Sequence, residues 1–319
     1  MRTGGAPSAR ILVLGAGATG GYFGGRLAEA GADVTFLLRD ARRAQVARDG
    51  LRILSPLGDV TLPARTVGTA DLRDDYDIVL LSCKAYDLES AIAAIAPAVT
   101  GPCTVVPLLN GMAHLDRLDA QFGPTQVTGG TCMIDGVLRS DGVVEHRGTL
   151  QRLVFGARHP AQGAALRSLA AALATTRLDW EYADNIKQRM WDKLSFLSAL
   201  AATTSLFRAN IGEIMAASGG RAAVERTYRA NLEIAAREGF PVSDDVAKGA
   251  WQRLTDPAGD WTSSLARDEE AGFRTEADHI VGWMLDRARR HGIDDTMLDL
   301  AYTALKAYEV RRAAGRLPA

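Results

Sequence analysis

The sequence predicts two halves: an α/β half over residues 1–183, built on a doubly wound and mostly parallel sheet, and an all-α half over residues 184–319. Three observations predict it. The short apolar runs Ile11–Leu14, Asp77–Ser82 and Thr104–Leu109 suit strands buried on both faces, as a parallel sheet requires. Helical stretches separate them. From Asn185 onward strand signals nearly vanish, and helical stretches follow one another, punctuated by Gly239, Pro241, Pro257, Gly259 and Gly292.

The first strand leads straight into Gly15-Ala16-Gly17-Ala18-Thr19-Gly20, which satisfies G-x-G-x-x-G. A helix over Tyr22–Glu29 and a second strand over Asp33–Leu38 follow at the spacing the motif needs. In this setting Gly15 allows the tight turn, Gly17 lets the backbone approach a pyrophosphate, and Gly20 lets helix and strand pack closely. The phosphates then meet free N–H groups and the favourable helix dipole. The first half therefore reads as a Rossmann-type dinucleotide-binding domain.

The end of the second strand chooses the dinucleotide. A carboxylate there holds the ribose 2′-hydroxyl of NAD. This chain has Arg39, followed by Asp40, Arg42 and Arg43. A guanidinium fork clamps a 2′-phosphate, so NADP(H) is favoured over NAD. The competing reading leaves Arg39 as a solvated charge and gives the ribose to Asp40.

The remaining elements follow in order. Leu51–Ile53 and Val60–Leu62 flank Pro56-Leu57-Gly58 as a hairpin. Asp77–Ser82 ends at Cys83-Lys84, Leu88–Ile95 is a helix, and Thr104–Leu109 ends at Asn110-Gly111-Met112. Thr128–Asp135, Val143–His146 and Arg152–Phe155 are β-like pieces, expected as a mixed or antiparallel edge of the same sheet. Gly15, Arg39, Lys84 and Asn110 all follow strand carboxyl ends, where such sheets bind ligands.

In the second half helices are expected over Ile186–Phe207, Ala222–Glu238, Ser243–Leu254, Thr275–Arg290 and Thr296–Arg312. On the first of these, Ile186, Met190, Lys193, Leu197 and Leu200 share one face, with Lys193 mid-stripe. A lysine there either snorkels or is buried for a purpose. Burial lowers the pKa of a lysine, which suits proton donation to a carbonyl oxygen.

Bulk properties exclude several classes. A net charge of −1 gives no field to recruit nucleic acid or an anionic membrane. The uncharged helical run Leu194–Phe207 is too short to cross a bilayer. Residues 1–9 read as a loose tail without the apolar core of a signal peptide. Cys83, Cys103 and Cys132 are odd in number and far apart, as reduced thiols in a cytoplasmic protein are. No H-x-x-x-H pair supports a metal site.

Taken together, Gly15–Gly20, Leu38-Arg39, Cys83-Lys84-Ala85, Leu109-Asn110-Gly111-Met112, Trp191-Asp192-Lys193-Leu194, Ser263-Ser264-Leu265 through Asp268, and Glu276 resemble the ketopantoate reductase (2-dehydropantoate 2-reductase) family in content and order, from Ile11 to about Glu309. The resemblance implies a 6-phosphogluconate dehydrogenase C-terminal-like helical domain and NADPH-dependent reduction of a 2-oxo acid to a 2-hydroxy acid, in pantothenate biosynthesis for ketopantoate itself. It implies Gly15, Ala16, Gly17, Ala18, Thr19, Gly20, Arg39, Lys84, Asn110 and Glu276 as cofactor contacts. Asn110, Lys193 and Ser264 would face substrate, with Lys193 as general acid and Glu276 as its acidic partner. The small molecule is the implied partner, and a homodimer is compatible, although no apolar patch marks one. Each residue has a plainer reading. Lys84 suits a strand-end charge, Asn110-Gly111 a turn, Ser264 a helix N-cap, and Glu276 a first-turn glutamate.

One departure bears on substrate. The family carries asparagines four and eight residues after the lysine, where this chain has Leu197 and Ala201. A third falls near Asn210 or Ile211. Loss of these hydrogen-bonding groups suggests a more apolar 2-oxo acid or ketone. An opine-dehydrogenase-like imine reductase is a second reading, and a non-catalytic NADP sensor a third. A sensor would need neither Lys193 nor Glu276.

Overall fold

A computed structural model describes residues 9–317, so all but the last residue of the predicted N-terminal tail lies outside the described residues. Two compact units emerge. One comprises the chain up to Leu109 together with His114–Ile186; the other comprises Asn110–Ala113 and Lys187 onward.

In the α/β unit, β1 (Arg10–Leu14), β2 (Asp33–Leu37), β5 (Arg65–Val67), β6 (Ile78–Leu81) and β7 (Thr104–Pro107) form an all-parallel sheet in the order β5-β2-β1-β6-β7. Leu12 pairs with Thr35 on one side and Val79 on the other, so β1 is central. Ile11, Leu12, Val13 and all of Ile78–Leu81 are fully buried, which explains why these strands read as unbroken apolar runs. Chain order reverses across β1, and the carboxyl ends of β1 and β6 flank that switch point.

The predicted single sheet with an antiparallel edge is corrected. The β-like pieces build a second, mixed sheet, in which β10 (Asp179–Tyr182), β9 (Val144–Gly156), β3 (Leu51–Leu54) and β4 (Val60–Leu62) run in that order and β8 (Gly129–Leu138) also pairs with β9. Val143–His146 and Arg152–Phe155 are the two ends of the one long β9, whose exposed middle hid its continuity. The β3–β4 hairpin forms as expected, with Ile53 opposite Val60. Tyr22, Phe23, Phe36 and Phe155 anchor a core between the two sheets. Cys103, 1 % exposed, lies in the same unit; burial, aided by nearby Asp77, pushes its thiol up to about 12. Alkylation at mildly alkaline pH is therefore expected to spare Cys103 in the native protein and to reach it only after denaturation. Peptide mass spectrometry reads the difference; labelling in the native state would contradict the packing.

The second unit is helical: α6 (Ile186–Phe207), α7 (Ile211–Ala216), α8 (Gly220–Arg237), α9 (Asp244–Leu254), α10 (Ser264–Glu270), α11 (Trp283–His291) and α12 (Thr296–Ala313). Its core gathers Leu200, Ile211, Ile214, Val224, Tyr228 and Leu254. The helix predicted over Thr275–Arg290 is interrupted: Asp278–Gly282 forms a π-turn before α11 begins. No described helix is long and apolar enough to cross a membrane.

Candidate functional site

The first part of the site is the turn from β1 into α1 (Ala18–Glu29). Gly15 adopts φ +87°, a left-handed conformation that glycine takes without strain. At Gly20 a Cβ would fall 2.1 Å from Ser82 Oγ and 2.6 Å from the Gly15 carbonyl, so only glycine lets α1 start this close to β6. At Gly17 a Cβ would meet nothing within 4 Å. No side chain caps α1, and its first turn holds no acidic residue. The uncapped N–H groups beneath open space fit the pyrophosphate of a dinucleotide. Gly20→Ala is accordingly expected to destabilise the fold by about 1–3 kcal/mol, while Gly17→Ala leaves the melting temperature unchanged and weakens dinucleotide binding. Calorimetry beside a binding titration separates the two, and equal melting losses would contradict the assignment.

Arg39 and Lys84 follow the carboxyl ends of β2 and β6. The Arg39 side chain is 83 % exposed, with its nearest carboxylate, Asp87, at 3.8 Å. Asp40 instead accepts from Arg43 at 3.1 Å, and Arg43 also reaches Asp71. Lys84 is half-buried where the chain enters a short 3₁₀ turn, Ala85–Asp87.

The second part lies wholly within the helical unit, to which Asn110–Ala113 belong. Lys193 Nζ donates to Asn110 Oδ1 at 2.9 Å. The stripe read from sequence is largely enclosed, with Ile186, Met190 and Leu200 buried, and α6 is buried on further faces too, with Trp191, Leu194, Ser195, Ser198 and Ala199 enclosed as well. Lys193 is half-buried among them. Trp191 packs against Phe240 and Trp283, which fixes the turn that carries Lys193.

Gly111 adopts φ +80°, and a Cβ on it would lie 2.6 Å from the His279 carbonyl. The Asn110-Gly111 turn thus rests on the π-turn, three residues from Glu276, which is 5 % exposed. The turn is held from α12. Asp278 accepts from Tyr302 at 2.7 Å and Lys306 at 3.1 Å, while Glu309 accepts from Lys306 at 2.5 Å and Thr275 at 2.9 Å. Hydrogen bonds from Tyr302 and Lys306 outweigh the effect of burial and hold the Asp278 carboxyl below its usual range. This scaffold had no sequence signal. A π-turn reads as ordinary helix, and pairing across some 30 residues leaves no local pattern.

The structure therefore joins Asn110 to Lys193 and seats their turn beside the Glu276 segment. Ser264 is half-exposed in the first turn of α10, outside that pair; the cap of α10 is Ser263, whose Oγ accepts from Ala266 at 3.0 Å. Asn210 is committed to capping α7, accepting from the Glu213 N–H at 2.9 Å. Leu197 is half-buried, whereas Ala201 has no exposed surface.

Comparison with known proteins bears on the fold and the family. Residues 11–160 match the family described as ketopantoate reductase PanE/ApbA, and residues 185–309 match its C-terminal counterpart. The uncharacterised oxidoreductase YkpB of Bacillus subtilis is 32 % identical over 95 % of this chain and 100 % of its own length. A 2-dehydropantoate 2-reductase of Halobacterium salinarum is 29 % identical over 89 % of this chain and 93 % of its own. A ketopantoate reductase of Ralstonia eutropha superposes with TM-score 0.85 at 26 % identity, covering 95 % of this chain and 99 % of that one. D-mandelate dehydrogenase, solved with NADH and anilino(oxo)acetate, superposes equally well (TM-score 0.85, 95 % and 99 % covered), and at 23 % identity shares the fold. Together these matches span both units, and the chain belongs to the ketopantoate reductase family of oxidoreductases.

Proposed function

We propose that the protein reduces a 2-oxo acid to the 2-hydroxy acid at the expense of NADPH, with Lys193 as general acid. The observation that carries this reading is the 2.9 Å bond from Lys193 Nζ to Asn110 Oδ1. The bond holds the ammonium in place, and its positive charge and N–H donors are of the kind that meet a carbonyl oxygen. Bound NADPH supplies the hydride. As the carbonyl carbon accepts it, Lys193 stabilises the growing negative charge on oxygen and transfers a proton there; water then reprotonates the amine. Asn110 fixes where the ammonium points. Glu276 and Ser264 complete the substrate surface in this reading. Exposed Arg39, with Asp40 already held by Arg43, supports the phosphorylated cofactor. This reading takes the protein as cytoplasmic, with the acid as its small-molecule partner.

Leu197 favours a second reading within the same chemistry. It stands one turn beyond Lys193, half-buried, and offers no hydrogen bond, so the preferred acid is less polar than ketopantoate. The experiment is NADPH oxidation against a panel holding ketopantoate and branched apolar 2-oxo acids, with and without an amine. Turnover of one of them without amine supports the proposal. Turnover only with amine would make the protein an imine reductase, and none at all, with NADPH still bound, would leave the sensor.

A further inference from the structure

Arg42 lies on α2 (Asp40–Asp49), three residues beyond Arg39, in the α/β unit. Its guanidinium donates to three acceptors, none of them charged. These are the Ala16 carbonyl inside the glycine-rich turn at 2.9 Å, the Gly142 carbonyl between β8 and β9 at 2.8 Å, and Gln45 Oε1 at 2.8 Å. Its Nε is enclosed with no hydrogen-bond partner, and among the described residues no carboxylate pairs with it. Its neighbours differ: Arg39 lies near Asp87, and Arg43 bonds Asp40. Burial lowers the Arg42 pKa, as expected of a cation drawn from water without an opposing charge. The approach is tight. Gly142 adopts φ +81°, and a Cβ there would lie 2.2 Å from the Gln45 amide.

An unpaired guanidinium is thus tied to the residue between Gly15 and Gly17, where the positive end of the α1 dipole also lies. Two positive groups gathered at one turn without an anion disfavour each other, and a phosphate group relieves both. From sequence Arg42 is only one of the arginines close behind Arg39; its bond to Ala16 is visible only in the structure.

We propose that Arg42 is a cofactor-positioning residue that holds the glycine-rich turn through Ala16 and supplies it with the positive charge that a dinucleotide pyrophosphate neutralises, with or without a 2′-phosphate. This rests on the dinucleotide reading of the turn. Arg39 then discriminates NADPH from NADH, and Arg42 serves both.

The test is a pair of fluorescence titrations, with NADPH and with NADH, on wild type, Arg42→Gln, Arg42→Lys and Arg39→Gln at two salt concentrations. Arg42→Gln keeps an amide donor and removes the charge; it should weaken both dinucleotides by a similar factor, about tenfold or more, and flatten the salt dependence of binding. Arg42→Lys should keep most of the affinity, and Arg39→Gln should weaken NADPH alone. Unchanged binding by Arg42→Gln, or loss confined to NADPH, overturns the proposal. Should Arg42→Gln fail to fold, Arg42→Lys decides: retained affinity for both supports the charge, and loss of both overturns it. A wild-type protein that binds neither dinucleotide would instead overturn the underlying reading of the turn.

Discussion

Replacing Lys193 with methionine is expected to lower kcat by about 10²–10⁴-fold, the range general acid catalysis supplies, while dinucleotide affinity stays at the wild-type value. Methionine keeps the apolar stem and removes the ammonium. The substrate oxygen then has no proton source and no positive charge beside it. Asn110→Ala should cost less, about tenfold, because the ammonium remains and loses only one partner. Single-turnover kinetics beside a binding titration separate the steps. A Lys193→Met enzyme with undiminished kcat would take Lys193 off the proton path. Equal loss of dinucleotide binding would make its role structural.

The second large effect concerns substrate choice. Wild type is expected to prefer a branched apolar 2-oxo acid over ketopantoate in kcat/KM, by no more than about 10²-fold, since an apolar pocket rejects an added hydroxyl only weakly. Leu197→Asn should narrow that preference by about tenfold, the worth of one recovered hydrogen bond. Ala201 is the poorer target. It has no exposed surface, and an asparagine there would overpack an enclosed site at about 1–3 kcal/mol. The measurement is kcat/KM for both acids on both enzymes. A wild type that favours ketopantoate, or a Leu197→Asn enzyme with an unaltered ratio, would show that Leu197 does not set selectivity.

The central strands of the parallel sheet were legible because burial on both faces leaves an apolar run, whereas the short, partly exposed β5 left none and was missed; within Gly15–Gly20, Gly15 and Gly20 answer local steric demands. The ends of α6 were readable to the residue. Long-range matters were not. The exposed centre of β9 carries no apolar signal, so its two ends looked like separate strands. The short α7 and α10 fall below the length at which periodicity speaks. Asn110-Gly111 reads as a turn from sequence, but that the glycine is required by the His279 carbonyl is visible only in three dimensions. Lys193 stood out as a charge in an apolar stripe. Asn110 was legible as a strand-end and turn residue, but its pairing with Lys193, 83 positions later, was not.

That separation has a consequence for how the gene can be cut and recombined. Because Asn110–Ala113 belong to the helical unit, the chain enters that unit, leaves it, and enters again after Ile186. The halves are not interchangeable cassettes with one seam. A chimaera joined near residue 186 would pair a lysine from one parent with an asparagine from the other, and the π-turn of one with the glycine of the other. A graft that respects the architecture carries residues 110–113 with the helical half. Drift in that short loop is answerable to α6 and the π-turn rather than to the strands on either side of it.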